Sequence, residues 1–337
     1  MRHPESIIGN SAALAQALEH VSRLAPINRP VLVLGARGTG KELIAERLHF
    51  LSPRWDSPLL KVNCAAMAES LLESELFGHE PGAFTGATRG HRGRFERADG
   101  GTLFLDELGT MSPRLQEKLL RLVEYGEFER LGGQDTLRVD VRVVAATNAD
   151  LRQLAERGEF RHDLLDRLSF DVIHLPALRH RREDIPLLAE HFAMQMCPEL
   201  GWEFFPGFGD DAMATLIDYP WPGNIRELKN AVERSLHRWG AADAPVAEVV
   251  VDPFVSPFEP AGDAPPPAEP EAPRDDGTAA DFTARLTGFE KRLLEEALAE
   301  NGHNQRRTAE ALGLSYDQLR GLIRKHRLGG RRRRSRS

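Results

Sequence analysis

One stretch of this chain is built to hold phosphate. Gly35-Ala36-Arg37-Gly38-Thr39-Gly40-Lys41 lies between a short apolar run, Val31–Leu34, and a helix-like stretch, Glu42–Phe50. Glycines let backbone N–H groups close around phosphate oxygens, and a following helix N-terminus adds partial positive charge. Lys41 is placed to reach the outer phosphates. Residue 42 is Glu, where the general phosphate-loop pattern has Ser or Thr for magnesium. The bland alternative, a glycine-rich turn, does not need a strand before it and a helix after it.

A second stretch supplies carboxylates. Ala98-Asp99-Gly100-Gly101-Thr102-Leu103-Phe104-Leu105-Asp106-Glu107 reads as a buried strand ending in two acids. The carboxyl end of a strand is where α/β sheets place their ligands. Asp106 is expected to hold Mg2+, directly or through water, and Glu107 to orient and deprotonate an attacking water. Such groups act on a nucleotide by positioning and charge stabilisation. The whole stretch from Ala98 to Glu107 is assigned to the nucleotide site. A third stretch, Gly82-Ala83-Phe84-Thr85-Gly86-Ala87, follows Glu75-Leu76-Phe77-Gly78-His79-Glu80. Its glycines permit a mobile loop, with Phe84 and Thr85 as an apolar, hydrogen-bonding tip.

These residues need a scaffold. Thr102–Leu105 and Val141–Ala146 join Val31–Leu34 as strand candidates, and Pro113–Tyr125 reads as a helix. That rhythm predicts an α/β domain, a mostly parallel sheet flanked by helices, over residues 1–175. Beyond it Ile185–Met196, Asp210–Asp218 and Asn224–Trp239 read as helices of a smaller subdomain, 176–243. A linker, 244–281, follows. Eight prolines between Pro253 and Pro273, among Ala, Asp and Glu, leave too little apolar surface there to offset chain ordering. Ordered chain is expected again over 282–328, and 329–337 is a basic tail.

The chain has 337 residues and a formal charge of −7. Residues 282–337 nevertheless carry 14 Lys/Arg against 6 Asp/Glu. A basic end on an acidic body points to a polyanion partner for that end. Phe282–Asn301 reads as an amphipathic helix. Asn304–Leu312, Gly313-Leu314-Ser315 and Tyr316–His326 then read as helix, turn and helix, packed through Ala309, Leu312, Leu314, Leu319 and Ile323. Ser315 is the expected N-cap. Tyr316, Gln318, Arg320, Arg324 and Lys325 suit a major-groove reader, and Arg306 and Arg307 suit phosphates. This segment resembles the Fis-type helix-turn-helix; a helical protein-docking domain is the alternative. The arginines from Arg331 to Arg336 add non-specific DNA affinity. The two cysteines, Cys64 and Cys197, offer no metal spacing or disulfide framework. With no transmembrane run or secretory signal, a cytoplasmic, nucleoid-associated protein without membrane insertion is expected.

The Gly82–Ala87 loop inside a phosphate-loop ATPase resembles the AAA+ activators of sigma-54 RNA polymerase, and the resemblance covers nearly the whole chain. It implies an ATP- and Mg2+-dependent ATPase with a helical lid over 176–243, whose 82–87 loop touches sigma-54 and moves with nucleotide state. Glu42 fits this family better than the general pattern. Asn63 matches the residue that holds the catalytic Glu away from water until the loop engages. Thr147 and Asn148 match the sensor of the γ-phosphate. Arg226, in Trp221-Pro222-Gly223-Asn224-Ile225-Arg226-Glu227-Leu228, matches the second sensor, on the lid. Arg161 and Arg167, in Phe160-Arg161-His162-Asp163-Leu164-Leu165-Asp166-Arg167, match arginine fingers that enter a neighbour's site. A guanidinium stays charged and grips phosphate oxygens in a fork. On one helix, six residues apart, the two would not share a face, so spacing does not divide their work.

The family forms hexameric rings, which implies the same homo-oligomer here. Ile7-Ile8-Gly9-Asn10 looks like the start of the ATPase domain, so regulation is expected from another protein. In this the chain is similar to the phage-shock branch of the family, held off by a peripheral membrane protein that docks near a surface tryptophan. Trp55, in Ser52–Ser57, matches that tryptophan; it either anchors the partner or folds onto its own domain. The expected function is activation, from enhancer DNA, of the phage shock (membrane stress) operon. The ring would use ATP hydrolysis to turn the closed sigma-54 polymerase complex into an open one. A helicase loader or unfoldase would not need the 82–87 loop. A repressor using the domain as a platform would not need its catalytic residues.

Overall fold

The computed structural model describes residues 7–254 and, between 290 and 328, all but 292, 296, 300, 302, 303 and 327. The chain divides into two compact units, Met1–Val255 and Ser256–Ser337. Most of the proline-rich stretch, the first residues of the 282–328 segment and the arginine tail lie outside the described residues.

Helix α1 (Ala12–Leu24) precedes β1 (Val31–Leu34) and α2 (Lys41–Phe50). Then come β2 (Leu59–Asn63), α3 (Glu69–Phe77), α4 (Arg94–Arg97) and β3 (Thr102–Asp106). Helix α5 (Pro113–Tyr125) leads into a small antiparallel hairpin, β4 (Glu127–Glu129) and β5 (Thr136–Arg138). Strand β6 (Arg142–Thr147), α6 (Leu151–Glu156), α7 (His162–Leu168) and β7 (Val172–His174) complete the subdomain. The main sheet is parallel throughout, in the order β2-β3-β6-β1-β7.

Side-chain alternation along each strand builds two cores. Leu32, Leu103, Leu105, Val143 and Ala145 face the layer of α3–α7 with Phe77, Phe95 and Leu119. Val31, Val33, Phe104, Val144 and Ala146 face α1 and α2 with Val21, Ile44 and Leu48. Burial on both faces explains why the inner strands read as unbroken apolar runs. Helix α5 is capped by Ser112, starts with Pro113 and stops at Gly126 in the left-handed region. Those are the start and stop signals of its sequence.

The lid consists of α8 (Ile185–Leu200), α9 (Asp210–Asp218) and α10 (Asn224–Trp239) around the fully buried Trp221. Helix α8 runs past the expected Met196. Pro198 sits in its last turn, and Gly201, at φ +71°, ends it. The expected linker start at 244 lies inside packed chain. Val246 is buried in the lid core and bridges Phe208, and the Ser235 hydroxyl binds Val250 N–H at 2.9 Å. Apolar Val246 and Val249 pack here, ahead of the proline cluster.

In the second unit, the described residues between 290 and 299 are helical and precede α11 (Gln305–Ala311) and α12 (Tyr316–Lys325). Leu294, Leu298, Ala309, Leu319 and Ile323 form its core, with Leu312 and Leu314 against it. Among the described residues no helix is long and apolar enough to cross a membrane.

Candidate nucleotide site and contact loop

Four adjacent strands end where the chemistry must occur. Leu34 of β1 is level with Thr147 of β6, and Asn63 of β2 is level with Asp106 of β3. The phosphate loop leaves β1 directly, with Gly35 N–H bonded to Thr147 O at 3.3 Å. A cleft of about 1360 Å³ opens over this edge, lined by residues 37–42, Asp106 and Glu107, and by Arg226 from the lid.

Lys41 is buried, and its Nζ donates to Gly35 O (3.0 Å) and Ala36 O (3.3 Å). Burial lowers its pKa, opposed by the charges of Asp106 and Glu107. Glu42 is held by Lys61 Nζ at 2.7 Å, and Lys61 also binds Glu46. Burial alone would lower the Lys61 pKa; its two carboxylate partners outweigh that and raise it. Sequence reading missed Lys61, because only the sheet brings β2 beside α2.

Asp106 Oδ1 accepts Glu107 N–H at 3.0 Å. Glu107 itself has φ +54° and ψ +42°, the left-handed region, which is uncommon for a residue with a side chain. Among the described residues no cluster of three or more His, Cys, Asp or Glu could cage a metal. Mg2+ does not require a cage: it is usually held by one or two carboxylates plus substrate phosphates, and Asp106 offers the first of these. Cys64 lies near both acids, but burial first, then their charge, pushes its thiol up to about 12. It is no nucleophile at neutral pH.

The structure redistributes the expected site residues. Of the stretch 98–107, only Asp106 and Glu107 line the cleft. Ala98, Leu103, Phe104 and Leu105 are buried in the cores. Thr102 Oγ1 bonds His49, Asp99 accepts Asp140 N–H, Gly100 donates to Asp140 O and Gly101 abuts Pro58. The reason is geometric: these residues precede or form β3, and only its carboxyl end meets the cleft. Thr147 is buried behind the phosphate loop, with Oγ1 accepting Ala149 N–H, while Asn148 is exposed. Asn63 Oδ1 accepts Ala65 N–H at 2.9 Å rather than turning to Glu107.

Arg161 and Arg167 do not share a helix as expected. Arg161 is the extended N-cap residue of α7, and only Arg167 lies within it. Neither lines the cleft of its own chain. Arg161 forms a fork with Asp163 (3.0 and 2.7 Å), and Arg167 pairs with Glu124 at 2.7 Å. Both are solvent-accessible.

The 82–87 loop is at the surface. Gly82 (φ +84°) and Gly86 (φ +101°) have open space where a Cβ would stand. Phe84 is 47% exposed, with its ring edge on His79 at a centroid distance of 4.9 Å. Gly82 N–H closes the loop on Ala87 O at 2.7 Å. Its base is anchored: Glu80 N–H donates to Leu131 O, and Arg130 spans Glu80 and Glu96 (2.8 and 2.6 Å). Trp55 is 59% exposed in the turn after α2, so it does not fold onto its own domain.

In α12, Ser315 and Gln318 form a capping box, Gln318 Oε1 accepting Ser315 N–H at 2.9 Å and Ser315 Oγ accepting Gln318 N–H at 3.3 Å. Both expected DNA contacts therefore also hold the helix start. Lys325 pairs with Glu290 at 2.7 Å. Tyr316, Arg320 and Arg324 are exposed, as are Arg306 and Arg307 on α11.

Comparisons with known proteins agree along the chain. The family model "Sigma-54 interaction domain" matches residues 7–174, "AAA+ ATPase lid domain" matches 179–240, and "Bacterial regulatory protein, Fis family" matches 285–326. The Psp operon transcriptional activator of Escherichia coli K12 is 53% identical, covering 97% of this chain and 99% of that protein. The transcriptional regulatory protein ZraR of Salmonella typhimurium is 53% identical over 68% of this chain, which spans 52% of ZraR. Among solved structures, NtrX from Brucella abortus in complex with ATP has a TM-score of 0.67 at 35% identity. That match covers 96% of this chain and 70% of NtrX.

Proposed function

The chain belongs to the sigma-54-interacting AAA+ transcription activators, and from that premise we propose how its residues divide the work. ATP lies in the cleft over β1, β6 and β3. The N–H groups of Gly35–Lys41 and the Lys41 ammonium hold its phosphates; Asp106 takes Mg2+, which would offset phosphate charge. Glu107 orients a water in line with the γ-phosphorus and accepts its proton as the bond to the ADP oxygen breaks. Thr147, Asn148 and Arg226 register the γ-phosphate, and Asn63 restrains Glu107. Subunits form a ring, hexameric by family likeness. Arg161 and Arg167 leave their ion pairs to stabilise charge in the neighbouring cleft.

Hydrolysis raises and lowers the Phe84–Thr85 tip against sigma-54, which drives opening of the closed promoter complex. Residues 282–328 hold enhancer DNA through Tyr316, Gln318, Arg320, Arg324 and Lys325, with Arg306, Arg307 and Ser315 on the backbone. Likeness to the Psp operon activator supports the phage shock operon as target. It also supports a PspA-like peripheral membrane inhibitor that docks at exposed Trp55.

The observation that carries this reading is the exposed tip between two unobstructed glycines, on the subdomain that forms the cleft. The test is open-complex formation with purified sigma-54 polymerase, with and without hydrolysable ATP. Thr85→Ala should hydrolyse ATP normally yet open no promoter. Promoter opening by that variant would refute the loop's role.

A further inference from the structure

Every carbonyl from Gly35 to Gly40 has a donor within the protein, and the lid supplies the donor for half of them. Gly35 O and Ala36 O are taken by Lys41, and Gly40 O by the first turn of α2. The next three carbonyls each meet a lid donor. Arg37 O accepts from Asn224 Nδ2 at 2.9 Å, Gly38 O from Ile225 N–H at 3.0 Å, and Thr39 O from Arg181 Nη2 at 3.1 Å. Among the described residues, none of the N–H groups of residues 36–40 donates to a protein acceptor. Pinning a carbonyl fixes its peptide plane, and so fixes the direction of the following N–H, opposite to the carbonyl and left free for a ligand.

The donors are costly to build. Asn224 is 1% exposed and sits at φ +53°, a left-handed conformation that few side-chain-bearing residues other than Asn adopt readily. Its two ends are assigned without ambiguity: Oδ1 must accept Leu178 N–H (2.8 Å), so Nδ2 faces Arg37 O. Arg181 is 2% exposed, with Nε unpartnered in the same cleft wall. The contact is intimate: a Cβ on Gly38 would stand 2.2 Å from Gly223 O.

We infer that Asn224 and Arg181 are positioning residues that preorganise the phosphate loop, independently of Arg226, so that the lid sets nucleotide affinity through the loop's backbone. This rests on the reading of residues 35–41 as the phosphate site. An unpinned loop would have to order its N–H groups during binding, and preorganisation removes that cost.

The test is a double-mutant cycle on the full chain, reading the Kd of a fluorescent ADP analogue. Glycine fits φ +53° without strain, so Asn224→Gly removes the side-chain bonds and adds no charge. Loss of a buried partner predicts Kd weaker by on the order of tenfold. The same factor should persist when Asn224→Gly is added to Arg226→Ala. An unchanged Kd overturns the inference. So does a loss that vanishes in the Arg226→Ala background, since Asn224 would then act only by placing Arg226. If Asn224→Gly fails to fold, Arg181→Met takes its place; it keeps a long side chain but withdraws the Nη2 donor from Thr39 O. Lys41→Ala serves as reference: undiminished binding there refutes the phosphate-site reading itself, whereas lost binding there with normal binding by Asn224→Gly refutes the pinning alone.

Discussion

Glu107 concentrates two demands in one residue. In the proposed mechanism its side chain reaches the attacking water, and its backbone holds a left-handed turn at the end of β3. Such a conformation costs on the order of 1–3 kcal/mol, and here it directs the carboxylate to the cleft while Thr110 bonds the Glu107 carbonyl. Glu107→Gln preserves size and backbone preference and removes only the base. Turnover should fall roughly 10²- to 10⁴-fold while nucleotide affinity stays near wild type. Steady-state ATPase rates beside equilibrium binding check this, and an unaltered rate would assign the base elsewhere.

At the scale of elements, the 82–87 loop proposed to meet sigma-54 is free at its tip and tethered at its base. The β4–β5 hairpin supplies the tether through Arg130, which holds Glu80 and the largely buried Glu96. The Arg130 guanidinium keeps the Glu96 carboxyl below its ordinary 4.5. A carboxyl depressed in the folded state stabilises it above the unfolded-state pKa. That contribution is lost as pH falls through the folded-state value. Glu96→Gln should therefore cost about 1–3 kcal/mol near neutral pH, and the gap to wild type should close as the pH drops below 4.5. Thermal melts at about pH 7 and about pH 4 measure it; a gap independent of pH would place the effect outside this ion pair.

For the molecule as a whole, the arginines lining the cleft of one chain, among the described residues, are Arg37, Arg181 and Arg226, and neither proposed finger is one of them. Arg161 and Arg167 sit outside it, each in an exposed ion pair. Exposed pairs of this kind stabilise by ~1 kcal/mol or less, so their rearrangement on assembly costs little. Complementation follows. Glu107→Gln subunits keep fingers and lack a base; Arg167→Ala subunits keep a base and lack a finger. Each alone should be nearly inactive, and mixing them should restore part of the turnover, because some clefts then combine a good base with a good neighbour. No recovery on mixing would place the finger in its own chain's cleft.

The linear chain by itself determined the chemical inventory: the phosphate loop ending in Lys41, the acids at the end of β3, the glycine-flanked 82–87 loop and the helix pair capped at Ser315. These rest on local rules of glycine conformation, strand alternation and capping, which act over a few residues. The same rules placed α5 and α10 at their observed bounds, because both carry explicit end signals. Tertiary structure alone decided what is distant in sequence. It separated the two acids that line the cleft from the eight preceding residues, which lead into β3 or build it, set Lys61 against Glu42, and exposed Trp55. It also brought Asn224 to Arg37, 187 positions away. Burial and hydrogen bonds between distant parts of the chain depend on which strands pair and where the lid closes, and no window of sequence holds that information.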